Sequence, residues 1–123
     1  MSVSIRANLQ LVYVSDIERS TAFYKTIFKI EPLFTSPRYV AFSASGEALF
    51  AIWTGGEKPE ASVPRYSEIG IMLPTNADVD RLYEEWRHNS DIKVVREPYT
   101  EVFGRTFLVA DPDGHIIRVC MVD

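Results

Sequence analysis

Asp111-Pro112-Asp113-Gly114-His115-Ile116-Ile117-Arg118-Val119-Cys120 decides how this chain is read. Asp-Pro-Asp-Gly makes a tight turn, since each of these residue types favours a turn for its own backbone reason. The β-branched run that follows carries no helical period, so a strand is expected over 115–122. Strand alternation puts Ile116, Arg118 and Cys120 on one face and Ile117, Val119 and Met121 on the other. The second face is uniformly apolar. The first holds a permanent cation, and that cation frames the functional question.

Upstream of the turn, strands are expected at Ile92 to Arg96 and Arg105 to Ala110. A helix beginning at Asn76 or Asp78 carries Val79, Leu82, Tyr83 and Trp86 at helical spacing. Ile69 to Leu73 reads as a strand with Ile69, Ile71 and Leu73 toward that helix and Glu68, Gly70 and Met72 on the opposite face. The order is β-α-β-β-β. The first half repeats it. Asn8 to Val14 is a strand, Ser15-Asp16 an N-cap, and Ile17, Ala22, Phe23, Ile27 and Phe28 an apolar helix face. Strands follow near Ile30 to Thr35, limited at its start by Pro32, then at Tyr39 to Ser43 and Ala48 to Trp53 around Ala44-Ser45-Gly46-Glu47.

Two local matches support a duplication. Asp16-Ile17-Glu18-Arg19 matches Asp78-Val79-Asp80-Arg81 at an offset of 80 − 18 = 62, and Gly46 to Leu49 matches Gly114 to Ile117 at 114 − 46 = 68. The change implies roughly six extra residues in the second copy. Residues 54–67 hold Gly55, Gly56, Pro59 and Pro64 without periodicity and read as a linker between a module at about 5–53 and one at about 68–123. Repeated units usually exist because one copy cannot bury its own sheet face.

Composition excludes several classes. The 123 residues suit one domain or two small halves, with 46% apolar and 24% charged residues. A net charge of −4 with scattered Lys and Arg argues against a nucleic-acid surface. The single cysteine, Cys120, permits no intramolecular disulfide. The N-terminus shows no signal-peptide apolar core and no apolar run reaches the ~20 residues of a membrane span, so a cytoplasmic protein is expected, without a membrane partner.

Tyr13-Val14-Ser15-Asp16-Ile17-Glu18-Arg19-Ser20 with Phe23-Tyr24, Asp78-Val79-Asp80, and Phe107 to Val119 occur in order inside this doubled pattern. On those motifs, nearly the whole chain resembles the glyoxalase, bleomycin-resistance and extradiol-dioxygenase superfamily, the vicinal oxygen chelate fold. The resemblance implies an α+β domain of two βαβββ modules forming curved sheets around a cleft, often with a divalent metal. In metal-using members the ligands come from the first and last strands of each module. Here those positions fall near Leu9, Phe50, Glu68 and Arg118, where the family usually has a glutamate at the last. By alternation Leu9, Leu11 and Tyr13 would share the cleft face with Ala48, Phe50 and Ile52.

Leu9 and Phe50 carry no donor atom, and Arg118 has no lone pair to coordinate a metal. One carboxylate, Glu68, does not hold a divalent ion against water. No metal site and no cofactor are therefore expected. Glu68 and Arg118 can pair across the ladder, either as a structural replacement for the lost site or as a receiver for an anionic or carbonyl group.

Other candidates read as structural. His88 lies at a helix end and His115 at a turn edge, while nothing spaced near Cys120 would lower its pKa. Of Tyr13, Phe34, Tyr39, Phe42, Phe50, Trp53 and Phe103, part forms core and part would stack on a planar ligand. Residues 97–105 read as either a lid or an extended hairpin arm. The ligand-binding candidates are Arg118, Glu68, Tyr13, Phe50, Met72, Leu9 and Phe103.

The preferred function is a metal-free small-molecule binding protein holding a planar or aromatic ligand, which can be anionic, in an apolar cleft. A metal-dependent glyoxalase-type lyase or extradiol-type dioxygenase is the alternative, and an association domain with a filled cleft is a third. By resemblance, a homodimer is expected.

Overall fold

A computed structural model describes residues 5–121. The elements are β1 (Leu9–Tyr13), α1 (Ile17–Phe28), β2 (Phe34–Thr35), β3 (Tyr39–Ser43), β4 (Leu49–Trp53), β5 (Ile69–Leu73), α2 (Asn76–Trp86), β6 (Lys93–Glu101), β7 (Gly104–Ala110) and β8 (Ile116–Met121). The chain divides into two compact units between Pro59 and Glu60. Among the described residues no helix is long and apolar enough to cross a membrane.

In the first unit the sheet order is β1-β4-β3-β2, with β1 parallel to β4. Asp16 caps α1 by accepting the Arg19 backbone N–H at 3.1 Å. Lys29 ends the helix in the left-handed region, its N–H donating to the Lys25 carbonyl. Phe23, Tyr24 and Ile27 are buried, whereas Ala22, expected on that face, is exposed. The second strand is confined to Phe34–Thr35 rather than beginning near Ile30. Pro32, just ahead of it, has no backbone N–H to offer a ladder.

The register corrects one site assignment. Leu9 pairs with Leu49, Leu11 with Ala51 and Tyr13 with Trp53. Paired residues share a face, so Leu49, Ala51 and Trp53 accompany Leu9, Leu11 and Tyr13. Phe50 and Ile52 point the other way. Phe50 is 5% exposed, and its ring centre lies 4.9 Å from Tyr24 and 5.3 Å from Phe28 on α1. It belongs to the core and not to a ligand-facing surface. Leu49–Trp53 is apolar at every position, so no alternation marks which face is which.

The second unit has the order β5-β8-β7-β6, with β5 parallel to β8. Thr75 caps α2. Its hydroxyl accepts the Asp78 N–H at 3.1 Å and donates to the Asp78 carboxylate at 2.9 Å, holding that carboxyl below its ordinary pKa, with a further contribution from Arg81. Val79 and Trp86 are buried, and Trp86 meets Phe107 edge-on at 5.8 Å. Ile117, Val119, Phe107 and Val109 complete this core. The expected division of β8 and β5 into an apolar helix side and an open side is observed as far as Cys120, whereas Met121, expected on the helix side, is part-exposed and reaches the open side.

The turn before β8 explains its own burial. The Asp111 carboxylate, 5% exposed, accepts the backbone N–H groups of Asp113 at 2.9 Å and His115 at 2.8 Å, an Asx-type closure. Gly114 sits at φ 86 and a Cβ there would lie 3.1 Å from the Ala61 Cα, so the turn requires glycine twice over. The Arg65 guanidinium donates to the carbonyls of Glu60, Val63 and Asp113, fastening the segment ahead of β5 to this turn.

β6 runs on to Glu101, past the expected end at Arg96, and pairs with β7 to the tip. Residues 97–105 are thus the hairpin arm of the two alternatives. The Asn76 side-chain oxygen accepts the Arg105 N–H at 2.9 Å and pins the tip to the start of α2. Val122, the last residue of the strand expected over 115–122, lies outside the described residues.

Replacing Phe50 by Ala should destabilise the protein by about 3–5 kcal/mol, the usual cost of emptying a buried aromatic site. Chemical denaturation measures it; a cost below ~1 kcal/mol would put Phe50 back on an open face.

Candidate ligand groove and its relatives

Strand alternation aims Met72, Arg118 and Cys120 away from α2, and β6 and β7 extend the same open face outward. Met72, Tyr99, Glu101, Phe103, Arg118, Cys120 and Met121 line a groove of about 500 Å³ within the second unit. That is the size of pocket that takes a drug-sized molecule. Most of the lining is apolar or aromatic, with Met72 66% exposed.

Arg118 organises the groove. It donates Nε to Glu68 Oε1 at 2.6 Å and Nη2 to Glu68 Oε2 at 3.1 Å, a two-pronged carboxylate contact. Its Nη1 donates to the Tyr99 hydroxyl at 3.2 Å and to the Thr106 hydroxyl at 3.1 Å. The fully buried Thr106 hydroxyl passes its own proton to the Val119 carbonyl at 2.8 Å, so accepting from Arg118 completes its bonding. The hydrogen bond to Glu68, then that to Tyr99, raises the guanidinium pKa above its ordinary value. Arg118 is therefore a fixed, permanently charged strut joining β6, β7 and β8 to the residue just ahead of β5.

The sequence candidates distribute unevenly. Arg118, Met72 and Phe103 line the groove, and Glu68 holds Arg118 without lining it. Leu9 and Tyr13 lie on the open face of the first unit's sheet, 47% and 42% exposed, where Tyr13 meets Trp53 edge-on at 5.2 Å. Phe50 is core. Sequence reasoning missed Tyr99, whose ring is covered by the Arg96 guanidinium 3.5 Å from its centre. The signal for it lay in the polar-aromatic stretch 97–105, but not in any periodicity. Cys120, on the Arg118 face by alternation but read as structural, is part-exposed and lines the groove.

The donor set does not suit the divalent metal common in this fold. Both Glu68 oxygens face the Arg118 cation, and Leu9, Leu49 and Ala51 have no donor atoms. Among the described residues no three His, Cys, Asp or Glu side chains converge as a metal site would require.

Two modules of β-α-β-β-β, each with a mixed four-stranded sheet and one covering helix, define a class, and the chain belongs to it. The model of the glyoxalase/bleomycin resistance protein/dioxygenase superfamily matches residues 6–119. Within that class the chain is 66% identical, over 98% of its length and 95% of the other's, to the phenazine antibiotic resistance protein EhpR of Enterobacter agglomerans. A solution structure of an Agrobacterium tumefaciens protein is 27% identical with a TM-score of 0.77, covering 98% of this chain and 99% of that one. A glyoxalase-related enzyme from Fulvimarina pelagi shares the fold at 21% identity and a TM-score of 0.76, over 93% of this chain and 86% of that one.

Because the Glu68–Arg118 pair is partly solvated, its stabilising effect is expected to be small. Glu68→Gln should cost less than about 1 kcal/mol of unfolding free energy in urea titration. A loss above ~3 kcal/mol would mean that the pair behaves as a buried one.

Proposed function

We propose that this chain is a metal-free binding protein that holds a planar aromatic molecule of the phenazine class in the groove around Arg118, withdrawing it from solution without chemical change. The carrying observation is the groove itself: an apolar and aromatic lining with one fixed cation, of a size to take such a molecule. The relative named for phenazine antibiotic resistance supports the ligand class. A flat tricyclic ring matches a surface of Met72, Phe103, Cys120 and the Tyr99 edge, where dispersion and ring contacts supply affinity and Arg118 supplies direction. An open groove speaks against a domain whose cleft is filled by its own side chains. The lyase and dioxygenase readings draw on a divalent metal, and Glu68, with both oxygens on the Arg118 guanidinium, does not suit one.

A homodimer and a cytoplasmic location belong to this reading. Exposed Leu9 and Leu11 are apolar surface that a second copy of the chain would cover. Sedimentation should give twice the mass of one chain; a monomer at micromolar concentration would remove the dimer from the proposal.

Calorimetric titration with phenazine should show saturable binding that a metal chelator leaves intact. Arg118→Met should weaken the binding of phenazine-1-carboxylate at least about tenfold, as loss of a charged hydrogen-bonding group typically does. Binding abolished by the chelator, or untouched by Arg118→Met in a folded protein, would sink the proposal.

A further inference from the structure

Tyr99 and Arg118 each hold one hydrogen-bond donor in reserve at the groove. The Tyr99 oxygen accepts from Arg118 Nη1, which leaves the phenol proton without a partner among the described residues. A guanidinium has five N–H groups. Four of those of Arg118 are engaged, two by Glu68 and one each by Tyr99 and Thr106, leaving one on Nη2. Both residues line the same groove. The Tyr99 ring is held in place by Arg96 stacked on its face, so the hydroxyl is presented from a fixed position. Charges near the groove are balanced, with Glu68 against Arg118 and Glu101 and Arg96 contributing one of each sign. The arrangement does not demand an anion. It demands an acceptor.

We infer that Tyr99 is a specificity-determining residue: its hydroxyl and the free Nη2–H of Arg118 together select ligands carrying an exocyclic sp² oxygen, carboxylate or carboxamide, on the aromatic ring. A ring nitrogen has one lone pair and can take one of the two donors. An sp² oxygen has two and can take both. A bare ring leaves a donor unsatisfied when it displaces water from the groove, which costs affinity. This inference rests on the proposed binding of phenazine-class rings in the groove.

The test compares phenazine, phenazine-1-carboxamide and phenazine-1-carboxylate by calorimetry on the wild-type chain and on Tyr99→Phe. The wild type should prefer the carboxamide and the carboxylate to phenazine by about fivefold or more, and Tyr99→Phe should cut that ratio about fivefold. The ratio, unlike affinity alone, is insensitive to a general loosening of the groove. Preference for the carboxylate alone would replace hydrogen-bond selection with charge selection and overturn the inference. So would equal affinities in the wild type, which needs no variant to fold, or an unchanged ratio in Tyr99→Phe. If none of the three compounds binds the wild type, the binding proposal itself fails and this inference with it; if all bind without preference, only the inference fails.

Discussion

The four hydrogen bonds of Arg118 are the constraint from which the rest of the second unit's open face follows. A cation on a largely apolar sheet face is costly unless its donors are matched. Glu68 matches the charge, while Tyr99 and Thr106 match the geometry, and the buried Thr106 hydroxyl would be short of a donor without it. Because Glu68 comes from just ahead of β5, Tyr99 from β6 and Thr106 from β7, the guanidinium on β8 fixes their side chains in one arrangement. That arrangement leaves an apolar groove with its polar atoms at one place.

In a metal-using member of this superfamily, a cation-binding carboxylate would occupy the Arg118 position. Here the cation is part of the protein. The exchange keeps a positive centre on the sheet but removes the vacant coordination positions on which metal chemistry depends. What is left at this place is a fixed charge with hydrogen-bond donors rather than an open coordination site.

Much of this was legible in the sequence, for physical reasons. The Asp111 to Gly114 turn has chemistry that few other conformations satisfy, and the alternation of Ile69, Ile71 and Leu73 against Glu68 and Met72 fixes a face unambiguously. The Glu68–Arg118 partnership followed from those two facts. Phe50 did not, because a run that is apolar on both faces carries no period-two signal, and a one-residue slip moves a side chain from cleft to core. Tyr99 was hidden differently. The β6–β7 ladder shifts register between Val94 and Arg96 and again between Arg96 and Tyr99. Residues three apart should lie on opposite faces of a regular strand, yet Arg96 stacks on Tyr99. Bulges are set by tertiary packing, and a single sequence does not display them.

The central claim is that the open face of β5–β8 receives a planar aromatic ligand. Amide chemical-shift mapping of the isotope-labelled chain during titration with phenazine-1-carboxylate tests it most directly. The account predicts saturable shifts concentrated at Met72, Tyr99, Phe103, Arg118 and Cys120, with Val79, Trp86 and the rest of α2 little changed. Shifts centred on α2, or no saturable shifts at all, would contradict it.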